Sequence, residues 1–66
     1  MLISTFFSEN VKGARAEVVN RGNTFGVDFY DAAGNLLKQE SYPDHNLRWA
    51  EDAAENWALG IKVLEG

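Results

Sequence analysis

A stretch of 66 residues is expected to form one domain, near the lower limit at which a polypeptide folds alone, with too few residues for two. With 45% hydrophobic and 24% charged residues the composition is that of a folded domain rather than a disordered tail. Ordering the chain costs on the order of 100 kcal/mol, so few apolar side chains can be idle. A net charge of −4 argues against simple binding to a phosphate backbone, which rests on clustered lysine and arginine, and favours basic partners.

The N-terminal run Met1-Leu-Ile-Ser-Thr-Phe-Phe7 is apolar but lacks a basic leader and is far shorter than a signal sequence, so it is not expected to target the chain. Ser8 to Gly13 is polar and ends in glycine, which leaves residues 1–13 open between an N-terminal arm and an extra strand. Ala14 to Asn20 alternates, with Ala14, Ala16 and Val18 on one side and Arg15, Glu17 and Val19 on the other, and reads as a strand. Arg21-Gly-Asn23 supplies the residues that best tolerate positive φ, and Thr24 to Tyr30 resumes the alternation, so a tight hairpin is predicted. Phe25, Val27 and Phe29 form its core face. Asp31 to Asn35 is a turn, and Leu36 to Tyr42 follows as a third strand that ends at Pro43.

The last third is one amphipathic helix. Leu47, Ala50, Ala54, Trp57, Ile61 and Leu64 recur at three- and four-residue steps, while Glu51, Asp52 and Glu55 fall mostly outside that line. Asp44 or Asn46 is placed to cap it. Gly60 either ends the helix as a left-handed cap or lies inside one that continues to Leu64 at a cost of about 1 kcal/mol; the apolar spacing at Ile61 and Leu64 favours the second reading. An antiparallel sheet with one apolar face needs a cover. The predicted fold is therefore α+β, a three-stranded antiparallel meander, four-stranded if Leu2 to Phe7 joins, packed by one C-terminal helix in a two-layer sandwich. The other face of the sheet is expected to carry Arg15, Glu17, Val19, Thr24, Asp28 and Tyr30, and also Lys38, Glu40 and Tyr42 if the third strand keeps that phase.

The chemical inventory is thin. There is no cysteine, which removes disulfides, thiolate metal sites and thiol nucleophiles together; a small domain without disulfides points to a reducing compartment, and the cytoplasm is expected. No stretch approaches the roughly 20 apolar residues that span a bilayer. His45, with Ser41 and Asp44 nearby in sequence, resembles a triad only superficially, because so small a sandwich has little room for the concave site a triad requires. Glu51 and Glu55, with Asp52 or Asp44, are too few oxygen ligands for a shaped cation site. Gly22-Asn-Thr-Phe-Gly26 lacks the lysine and the spacing of a phosphate loop. No catalytic residue, metal or cofactor is predicted, and the chain is expected not to be an enzyme.

The aromatic residues carry what signal remains. Trp57, on the helix stripe, is expected in the core against Phe25, Val27 and Phe29. Trp49 lies beside the stripe and either widens the core or is exposed; with Tyr42, Phe6 and Phe7 it forms the candidate partner interface, since tryptophan and tyrosine are enriched at binding hot spots. Leu2 to Phe7 either adds an edge strand or pairs with another copy, so a homodimer is a further expectation. Three-stranded sheets with a packed helix bind DNA in plant AP2-type transcription factors, which this chain is similar to in element order alone. The corresponding cations would be Arg15, Arg21 and Lys38, among alternating acids rather than on a basic face.

Val27-Asp-Phe-Tyr-Asp-Ala-Ala-Gly-Asn-Leu-Leu-Lys38, Tyr42-Pro43 and Ala50-Glu-Asp-Ala-Ala-Glu-Asn-Trp-Ala-Leu-Gly-Ile61 together resemble small uncharacterised proteins encoded by tailed phages of marine cyanobacteria and related marine bacteria. The resemblance covers residues 16 to 62 and implies a phage protein made inside a bacterial host, with no activity or binding residues to carry over. Two functions from different classes follow: a protein-interaction module directed at a host or phage protein, and a nucleic-acid-binding module using the solvent face of the sheet. A structural or regulatory phage component stands behind both.

Overall fold

Four strands and a helix follow one another as β1 (Leu2–Phe7), β2 (Arg15–Asn20), β3 (Phe25–Tyr30), β4 (Leu36–Tyr42) and α1 (Leu47–Ala58). The computed structural model describes residues 1–64. The strands form one antiparallel sheet in the order β1-β2-β3-β4, so the chain has the α+β meander expected, with Leu2–Phe7 as its fourth strand rather than an arm. Between β3 and β4, Asp31 Oδ1 accepts from the amides of Ala33 at 3.0 Å and Asn35 at 2.8 Å, which fixes the turn.

Alternation decides the core. Ala16 and Val18 of β2, Val27 and Phe29 of β3, and Ala50 and Ala54 of α1 are fully buried. The small helix residues let α1 approach the sheet closely, while Ile3, Phe6, Phe25, Leu47, Trp57 and Leu64 fill the margins. Trp57 meets Phe29 edge-on, with ring centroids 5.3 Å apart, a favoured aromatic arrangement. The helix lies over β1, β2 and β3.

Two expectations are corrected. The helix does not run on to Leu64: it ends at Ala58, with Gly60 at φ 85°. The Gly60 amide donates to Trp57 O at 3.0 Å and the Ile61 amide to Asn56 O at 2.8 Å, the paired bonds of a Schellman cap that only a left-handed residue completes cheaply. Ile61 is consequently 70% exposed, whereas Leu64 returns to the core from outside the helix.

The second correction concerns the phase of β4. Phe29 pairs with Lys38 but Tyr30 pairs with Leu36, so Leu37 is the additional residue of a bulge. Directly opposed residues share a face. Val27 faces Glu40 and Phe25 faces Tyr42, which places Lys38, Glu40 and Tyr42 on the helix side and not on the open face. An unbulged strand continuing from Tyr30 and Leu36 would have had the expected phase; one extra residue inverts it.

Candidate functional site

The bulge has a chemical consequence. Because α1 covers β1 to β3, the helix-side residues of β4 lie beside the helix rather than beneath it, and an open groove of about 950 Å³ separates the two. Lys38, Glu40 and Tyr42 form its strand wall; His45, Trp49, Asp52 and Asn56 form its helix wall, and Lys62 closes one end.

The approach to the helix sets the aromatic part. Pro43 stops β4, the His45 amide donates to Tyr42 O at 3.2 Å, and Asn46 Oδ1 accepts from the Trp49 amide at 3.1 Å as the N-cap of α1. That cap holds Trp49 one turn above His45. Their rings stack with centroids 4.0 Å apart and planes within 9°, and the Tyr42 ring meets His45 edge-on at 6.5 Å. Trp49 keeps 50% of its surface exposed.

The polar part is self-satisfied. The Tyr42 hydroxyl donates to Glu40 Oε1 at 2.5 Å, Lys62 Nζ lies 3.4 Å from the same oxygen, and Lys38 Nζ lies 3.6 Å from Oε2. Partial burial alone would raise the Glu40 pKa, but the phenol and the two ammonium groups outweigh it and hold the carboxyl below its ordinary range. The Tyr42 phenol is pushed well above its ordinary value, first by burial and then by its bond to the Glu40 carboxylate. Both groups therefore keep one protonation state across neutral pH. They order the groove wall.

Of the four residues predicted to meet a partner, the structure brings Tyr42 and Trp49 to this groove, joined through His45. Phe6 packs at the margin of the core, and Phe7, 66% exposed, stands on the open face opposite Arg15; both lie at the far edge of the sheet. The three cations of the alternative reading are not assembled either. Arg15 donates to Glu17 at 2.9 Å with its guanidinium 4.3 Å over the Tyr30 ring, and Arg21 pairs with Asp28. Lys38 is on the opposite face. Among the described residues no hydrogen bond joins Ser41, Asp44 and His45, and no cluster of three or more potential metal ligands occurs.

Comparison with known proteins yields no matching family model, no matching curated protein and no matching solved structure. The function must be argued from the groove. Sequence reasoning missed His45 as a stacking partner, although its four-residue step to Trp49 was a signal. It also missed the convergence of Glu40 with Lys62, which depends on where the chain goes after the helix and has no local signature. Among the described residues no helix is long and apolar enough to cross a membrane.

Proposed function

We propose that this chain is a non-enzymatic protein-interaction module whose partner docks in the groove between β4 and α1, with Trp49 as the anchor. The observation that carries the reading is the His45–Trp49 stack at 4.0 Å. It holds a half-exposed indole in one orientation before any partner arrives, and so reduces the ordering cost of binding. Asp52 on the rim and the overall charge of −4 favour a partner that presents a basic or aromatic side chain to the indole. On the sequence resemblance, the setting is the cytoplasm of a bacterial host and the partner a host or phage protein. The nucleic-acid alternative has less support, because Arg15 and Arg21 are each held by an acid of the same face.

The test is capture from nuclease-treated bacterial lysate on immobilised protein, with wild type and Trp49→Ala side by side and circular dichroism as the folding control. A stoichiometric protein retained by the wild type and lost by the folded variant supports the reading. Equal retention removes Trp49 from the interface, and retention abolished by nuclease returns the argument to nucleic acid.

A further inference from the structure

α1 is centred on β2, with β1 and β3 on either side, so β4 lies two strand spacings, about 9.6 Å, from the line beneath the helix axis. Packed helices stand about 8–10 Å apart, axis to axis. The space over β4 therefore has the position of a second helix in the helical layer, and among the described residues the groove there stays open except where Lys62 closes one end. Its helix wall runs about 16 Å from His45 to Asn56, the length of three turns. Three turns of helix about 10 Å across displace roughly 1,250 Å³, so a groove of about 950 Å³ takes in most of one. We infer that the occupant is an amphipathic helix of a partner protein, laid alongside α1 over β4, a conclusion that rests on the docking role proposed for the groove.

Hydrogen bonding favours a helix over an extended chain. Glu40 already accepts the Tyr42 hydroxyl and faces Lys38 and Lys62, so the strand wall presents a completed network. An extended segment would bring its backbone N–H and C=O groups to that wall without a ladder to receive them, whereas a helix satisfies its own. Strand addition at the outer side of β4 is opposed by the same charges and by the bulge at Leu37. Charge then fixes the face that the occupant presents. Trp49 is the apolar contact, and Asp52, three residues further along α1, lines the groove with 61% of its side chain exposed. Arg48 lies 3.9 Å from Asp52 but is itself 85% exposed, so it holds the carboxylate loosely. The two groove residues sit about 4.5 Å apart along the helix. A large apolar side chain set against Trp49 and an arginine or lysine set against Asp52 therefore stand three or four residues apart on the occupant, the spacing of one helix face. The net charge of −4 attracts such a basic segment.

Two displayed peptide libraries, screened against the immobilised protein, are the probe: helix-forming peptides of about 14 residues randomised on one face, and linear peptides of about 7 residues. Clones from the helical set are expected to be enriched, with an aromatic or long aliphatic residue and an arginine or lysine three or four positions apart, and to gain helical circular dichroism on binding. Their affinity should fall about tenfold or more for Trp49→Ala and for Asp52→Lys, each checked for folding. Exchanging the clone's basic residue for glutamate should recover most of the loss for Asp52→Lys. Enrichment of linear peptides alone, binding without gain of helix, or indifference to Asp52→Lys overturns the helical occupant, and leaves the groove as the docking site so long as Trp49→Ala still weakens binding. Binding indifferent to Trp49→Ala refutes the docking role as well. A screen that enriches neither set overturns the inference outright.

Discussion

Gly26 is the position where the structure and residue propensity disagree in sign. A glycine inside a strand weakens it by about 0.5–1 kcal/mol relative to alanine, so propensity alone predicts that Gly26→Ala stabilises the protein. A Cβ at Gly26, however, would lie 2.5 Å from the carbonyl oxygen of Glu40 and would meet the Arg21 guanidinium, which crosses the glycine on its way to Asp28. The carbonyl belongs to the neighbouring strand and cannot yield without opening the β3–β4 ladder, a cost of about 1–3 kcal/mol for an overpacked site. Displacing Arg21 from Asp28 adds up to about 1 kcal/mol, since that pair is only partly shielded. Set against the propensity gain, the expected outcome is a net loss of about 1–3 kcal/mol, against a total stability of roughly 3–10 kcal/mol for a chain of this size. Urea unfolding followed by tryptophan fluorescence should show a lower midpoint at unchanged slope. The double variant Arg21→Ala/Gly26→Ala separates the two causes: it should remain less stable than Arg21→Ala alone, because the Glu40 carbonyl is still in the way. A Gly26→Ala protein as stable as wild type would refute both the strand contact and the path of Arg21.

Asn46→Ala removes the N-cap bond to Trp49 and should cost about 1 kcal/mol in the same unfolding assay, with Trp49 emission shifted as the His45 stack loosens. Trp57→Ala, which deletes the ring against Phe29, should cost about 3–5 kcal/mol and leave much of the protein unfolded, whereas Trp49→Ala loses chiefly one exposed stack and should stay folded. The pH profile of stability should fall at both ends. Asp31, held low first by the Asn35 amide, and Glu40 lie below their ordinary values of 3.8 and 4.5 in the folded chain. As pH drops through that range the unfolded state takes up protons first and stability is lost. Tyr42 is raised above 10.0, so above pH 10.0 the unfolded state releases its proton first and stability falls again. Urea midpoints across pH should show both limbs, and Tyr42→Phe should flatten the alkaline one.

The architecture was legible in the sequence because its signals were local. Period-two alternation gave Ala16, Val18, Val27 and Phe29 their common face, and three- and four-residue steps placed Ala50, Ala54 and Trp57 on the sheet side of the helix. The two failures were also physical. Gly60 sat in a pattern that continued past it, and apolar spacing concealed a cap whose paired hydrogen bonds outweigh one more turn of helix. Leu36-Leu37 gave no sign of a bulge, since either residue suits a strand, yet that single insertion moves three side chains to the opposite face. Half of the predicted interface, Tyr42 and Trp49, came together only because the bulge turned Tyr42 toward the helix. The groove was therefore not readable from alternation, which places Tyr42 on the wrong side.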